Sequence, residues 1–250
     1  MKRLILLIIL LFLLITSACS RESEEDILEP SSFKIISESE GNNKVELQTE
    51  DNITLRAIDY FNYSDISHNL ILVHGLGGKK EDWESFAQFL RKKNFRVLSI
   101  DLRGHGQSDL SWENLNEEDF EKMIFDIDVA RNYLYNQTRS RRVSLIGASL
   151  GANLIAEYLD EYGNKNIQKV VLLSPGENYR GLSIEGIETF RDGLFVVAST
   201  KDEYSVNATN ELKKNVRNMR TAIYGGSAHG IAMLDENSEL QQDISAFISE

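Results

Sequence analysis

Five short, nearly unbroken apolar runs punctuate the chain: Leu70–Val73, Val97–Ile100, Val143–Ile146, Val170–Leu173 and Leu194–Ala198. A strand wet on one face alternates apolar and polar residues with period two. These runs do not alternate, so they read as strands buried on both faces. Between and beyond them lie stretches with apolar residues at helical spacing: Trp83–Leu90, Phe120–Tyr135, Leu154–Leu159, Ala208–Val216 and Leu240–Ile248. Strand–helix alternation needs crossover connections. It therefore predicts an α/β fold, a mostly parallel central sheet flanked by helices on both faces. Met219–Tyr224 is a weaker candidate for a last strand, and Val45–Thr49 with Ile53–Tyr60 predicts an antiparallel pair turning at Glu50-Asp51-Asn52.

The first 40 residues follow neither period. Lys2 and Arg3 precede an apolar run from Leu4 to Ile15, and Thr16-Ser17-Ala18 supplies the small residues of a processing site. This pattern predicts an export signal over 1–18, since the run falls short of the roughly 20 residues that span a bilayer. From Ser20 to Ser32 the chain is polar and acidic. A polar tether over 19–40 is expected, with one folded domain over 41–250.

Thr16-Ser17-Ala18-Cys19 resembles the lipobox of bacterial lipoproteins, with Thr16 where those sequences favour Leu. The resemblance implies that Cys19 is lipidated and that the chain is exported and lipid-anchored to a bacterial membrane of the cell envelope. Cys19 is the only cysteine, so no internal disulfide is available.

Hydrophobic residues at 42% and charged residues at 26% suit a globular domain rather than a disordered one. A net charge of −12 argues against nucleic acid as a partner, because phosphate binding needs clustered Lys and Arg. The densest group, Arg139-Ser140-Arg141-Arg142, stands just before a strand and reads as a solvated loop.

Chemistry concentrates where the Val143–Ile146 strand ends, at Gly147-Ala148-Ser149-Leu150-Gly151. Ligands of open α/β sheets bind beyond the carboxyl ends of the strands. The two glycines allow a sharp strand-to-helix turn that lifts the Ser149 hydroxyl out of the sheet. The helix that follows aims its N-terminal N–H groups at the same place, which favours developing negative charge.

Three motifs in order, His74-Gly75-Leu76-Gly77-Gly78, Asp101-Leu102-Arg103-Gly104-His105-Gly106-Gln107-Ser108-Asp109 and Gly147–Gly151, resemble the α/β-hydrolase superfamily over roughly residues 44–250. The resemblance implies a serine hydrolase cleaving an ester, or a thioester or amide, of a small acyl substrate through an acyl-enzyme, without a cofactor. It assigns Ser149 as nucleophile, His229 as base and Asp202 as the acid that orients the base. The backbone N–H groups of Leu76 and Leu150 become the oxyanion donors. Glu177, after the Val170–Leu173 run, occupies a place some members use for the acid. His74 and His105 are expected to hold their loops by hydrogen bonding, and His68 to be exposed.

No metal site is expected, as histidines and carboxylates do not cluster at ligand spacing. Gly176 to Gly193 lies where many members insert a helical cap; its length and four glycines imply a minimal cap and an open cleft. Two other readings share these residues: a non-catalytic binding lipoprotein of the same fold, and a cofactor-free haloperoxidase or C–C hydrolase.

Overall fold

The computed structural model describes residues 33–62, 68–190 and 192–250. Its strands in chain order are β1 (Phe33–Ser39), β2 (Asn42–Gln48), β3 (Thr54–Tyr60), β4 (His68–Val73), β5 (Phe95–Ile100), β6 (Val143–Ala148) and β7 (Ile167–Leu173). A small hairpin of β8 (Asn178–Tyr179) and β9 (Leu182–Ser183) follows, then β10 (Leu194–Ser199) and β11 (Arg220–Tyr224). All but the hairpin form one sheet in the order β1-β2-β3-β5-β4-β6-β7-β10-β11. β1, β2, β3 and β5 join antiparallel, and every pairing from β5 to β11 is parallel.

The helices are α1 (Glu84–Lys92), α2 (Glu117–Glu121), α3 (Ile124–Thr138), α4 (Leu150–Tyr162), α5 (Glu203–Asn215), α6 (Ala232–Glu236) and α7 (Ser238–Ser249). They cover both faces, which explains the continuous apolar runs. Ile71, Val73, Leu145, Leu172 and Val196 join the core under α3, α4 and α5. Their neighbours Leu70, Leu72, Ile146, Val171 and Val197 join a second core under α1 and α7. Each such side chain contributes roughly 1.5–3 kcal/mol by leaving water.

One buried charge inside the fold is paired from two sides. Arg96 of β5 donates to both carboxylate oxygens of Asp59 on β3, at 3.0 and 2.5 Å, and the Tyr133 hydroxyl of α3 donates to the same carboxylate at 2.7 Å. A buried charge stripped of its partner is strongly destabilising, so this triple fixes how β3, β5 and α3 dock.

Three features differ from the sequence reading. Phe33–Ser39, placed in the tether, is the edge strand β1, so the sheet begins before residue 41. Its side chains are mostly exposed, and no burial pattern announced it. The helix expected over 120–135 is broken: Asn116 and Asp119 form a capping box that starts α2, and α3 begins afresh at Ile124. His68 is half-buried, with its ring 5.8 Å from that of Phe95. The expected signal, Cys19 and the tether as far as residue 32 lie outside the described residues. Among the described residues no helix is long and apolar enough to cross a membrane.

Candidate active site

Ser149 joins β6 to α4 at φ 54°, ψ −120°, backbone angles that few residues other than glycine adopt. Two close approaches make this turn. A Cβ on Gly147 would lie 2.4 Å from the Gly151 carbonyl oxygen, and one on Gly151 would lie 2.5 and 2.6 Å from the carbonyl oxygens of Val73 and His74. Backbone cannot retreat as a flexible side chain can, so both positions require glycine. The Ser149 N–H donates to the Leu173 carbonyl at 2.8 Å, which locks the turn onto β7.

His229 sits in the loop after β11, and both its neighbours are pinned. Ser199, closing β10, donates its hydroxyl to the Ala228 carbonyl at 2.5 Å, and the Gly230 N–H donates to the hydroxyl of Ser174, just past β7, at 2.9 Å. Both serines are wholly buried. The imidazole therefore stands in place before any substrate arrives.

Asp202 precedes α5, where one carboxylate oxygen accepts the Ser205 N–H at 3.4 Å. The other lies 2.7 Å from His229 Nδ1, and His229 Nε2 lies 2.8 Å from Ser149 Oγ. A carboxylate only accepts, so Nδ1 carries the proton and Nε2 is free to accept from the serine hydroxyl. Burial pushes the Asp202 carboxyl up, but hydrogen bonds from His229 and Ser205 outweigh it and hold the group below its usual range. Glu177 is exposed, and its carbonyl accepts the Ile184 N–H. Asp202 is the acid that reaches His229.

The His74–Gly78 loop runs beside the serine, with Gly75 so close that an added Cβ would meet Ser149 Cβ at 3.0 Å. The Gly75 carbonyl accepts from Gly78 N–H at 3.0 Å and from His74 Nδ1 at 2.8 Å. In a trans peptide the N–H points opposite the carbonyl, so the Leu76 N–H turns out of the loop. Leu150 opens α4, where the first N–H groups have no intrahelical partner.

His74 Nε2 accepts the Leu102 N–H at 3.1 Å, so both ring nitrogens are committed to backbone. Burial pushes its pKa down to about 3, which keeps the ring neutral. His105 lies 3.0 Å from the Arg103 carbonyl through Nδ1. Below the loop, Lys80 is buried and donates to Asp101 through Nζ at 2.7 Å and through its backbone N–H at 2.6 Å. The Gln107 N–H donates to the same carboxylate at 2.9 Å, tying this loop to the turn after β5.

Fold and site together define a class, a sheet that presents a serine on a strained elbow to a histidine and an acid carried by later strands. The profile of the alpha/beta hydrolase fold family matches residues 69–215, and this chain belongs to that family. It is 28% identical over 218 residues to the AB hydrolase superfamily protein YisY of Bacillus subtilis, covering 80% of this chain and 76% of that one. It is 27% identical over 105 residues to the non-heme chloroperoxidase CPO-A1 of Kitasatospora aureofaciens, spanning 42% of this chain and 36% of the relative. The esterase Pf2001 of Pyrococcus furiosus shares the fold with a TM-score of 0.67 at 22% identity, over 87% of this chain and 92% of that one.

Proposed function

We propose that this chain is a serine hydrolase that cleaves an ester bond through an acyl-enzyme. The observation that carries the reading is the hydrogen-bonded relay from Asp202 through His229 to Ser149, set at the carboxyl ends of the strands. Ser149 Oγ bonds to the acyl carbon as its proton passes to His229 Nε2. The carbonyl electrons collect on oxygen, where the N–H groups of Leu76 and Leu150 stabilise the charge. Collapse breaks the bond to the alcohol oxygen, which takes the proton from His229. Water then repeats the sequence and releases the acid. Asp202 holds the tautomer and stabilises the imidazolium at each stage. Thioesters and amides fit the same steps.

Likeness to the non-heme chloroperoxidase over part of the chain favours a second reading, cofactor-free haloperoxidase chemistry by the same residues. A peroxide- and halide-dependent halogenation assay separates the two. We propose also that the enzyme is exported and held at an envelope membrane by lipid on Cys19, on the strength of Thr16-Ser17-Ala18-Cys19 after its apolar run.

The test of the main reading is turnover of a panel of short alkyl and aryl esters by purified protein. Ser149→Ala should lower that turnover by roughly 10⁴-fold or more while leaving the fold intact. Full turnover by a folded Ser149→Ala protein would contradict it.

A further inference from the structure

The segment from Gly176 to Gly193 is too short to be a cap domain, yet its first part, residues 176–183, is firmly held. Asn153, wholly buried in α4, donates to the carbonyls of Gly176 and Leu182 at 2.9 and 3.0 Å and accepts the Gly176 N–H at 3.1 Å. Glu157, one turn further along, accepts the Ser183 N–H at 2.6 Å. The helix that begins at the nucleophile thus anchors both arms of the β8–β9 hairpin.

From the acid's side, Tyr204 donates its hydroxyl to the Asn178 carbonyl at 2.9 Å and accepts the Asn178 N–H at 3.0 Å. Tyr179 lies between these supports. Its ring is 5.5 Å from that of Tyr204 and 6.4 Å from that of His229, steeply inclined to both at 70° and 84°. The two tyrosines close over Gly176, where an added Cβ would lie 2.3 Å from Tyr204 and 2.7 Å from Tyr179. Burial pushes the Tyr179 phenol pKa up, while the hydroxyls of Ser149 and Ser205 act against that shift. The phenol is therefore neutral at physiological pH.

In acyl transfer the two halves of the substrate have fixed places. The carbonyl oxygen turns to the oxyanion donors, and the leaving oxygen must meet the proton on His229 Nε2. A ring set against His229 therefore faces the leaving group. We infer that Tyr179 is a specificity-determining residue whose ring walls the leaving-group side of the Ser149 site and restricts it to small alcohols. This inference rests on the serine-hydrolase reading and names its substrate class. The backbone that carries the ring is held from both sides, by the Tyr204–Asn178 bonds and by the Asn153 anchor.

The test holds the acyl group constant and varies the alcohol, comparing kcat/KM for ethyl acetate and cyclohexylmethyl acetate. Tyr179→Ala should raise the ratio of bulky to small ester by about tenfold or more, the scale on which a pocket discriminates hydrocarbon groups. Tyr179→Phe, which keeps the ring, should keep the wild-type ratio. A ladder of acyl lengths on one alcohol should be unmoved in Tyr179→Ala, whereas general loosening of the site would shift it. If Tyr179→Ala does not fold, Tyr179→Leu is read in its place. An unchanged ratio in a variant that melts like wild type and still labels with a fluorophosphonate overturns the inference. Absence of labelling in the wild type itself would instead remove the serine-hydrolase reading, and this assignment with it.

Discussion

Ser149 carries a left-handed φ that costs of order 1–3 kcal/mol and persists because the surroundings enforce it. That much was legible in the sequence, since Gly-x-Ser-x-Gly between a buried strand and a helix has few other physical uses. Asp202 and His229 were legible only through the family resemblance, which places an acid and a base after β10 and β11. The groups that fix them were not. Ser174, Ser199 and Asn153 are ordinary letters whose roles arise only when distant strands meet, and Tyr179 reaches the site through a hairpin with no sequence period. Asp202→Asn should lower turnover by roughly 10⁴-fold through the wrong histidine tautomer, while Glu177→Gln stays near wild type; steady-state kinetics on one ester checks both. His74 makes a separate prediction about pH. Its folded pKa of about 3 lies below the ordinary 6.5, so below pH 6.5 the unfolded chain gains a proton that the folded chain refuses. The stability it confers is complete above pH 6.5 and is eroded as pH falls towards 3. His105, also lowered by burial, adds in the same direction. Between pH 7.5 and 5.5, urea unfolding of His74→Asn should therefore lose about 1 kcal/mol less than wild type. An equal loss in both would contradict this.

At the scale of elements, the parallel strands were readable because odd and even residues of each serve different cores, leaving few polar letters. β1 was not, because an edge strand with both faces wet has no reason to be apolar. Its contribution is to pair with β2 and to set Phe33 against Tyr133, with ring centroids 5.1 Å apart. A chain starting at residue 41 leaves β2 as an open edge, with unpaired N–H and carbonyl groups that template association. Compared with a chain starting at residue 33, it should melt lower, by about 2–4 °C for each kcal/mol lost, and should aggregate more readily on refolding. Identical melting and recovery would show that β1 is dispensable. The break between α2 and α3 has no signature in the sequence, because Phe120 to Tyr135 keeps helical spacing across it and α3 starts after Met123 with no side-chain cap.

For the whole molecule, the sequence separates a charged-then-apolar beginning from a hydrolase-fold domain that belongs to a large family. Attachment by Cys19 predicts that Cys19→Ser abolishes metabolic incorporation of a palmitate analogue and blocks processing at Ala18; unchanged incorporation would contradict the anchor. The domain's own chemistry does not depend on that attachment, because every atom of the proposed relay lies between Ser149 and His229. The most direct measurement is covalent: purified, folded protein is treated with a fluorophosphonate, which reacts with serines activated by a neighbouring base, and the adduct is located by mass spectrometry. The account predicts one adduct, on Ser149, lost in Ser149→Ala and much slower to form in His229→Ala and Asp202→Asn. A folded wild-type protein that takes no adduct, or takes it on another residue, would contradict it.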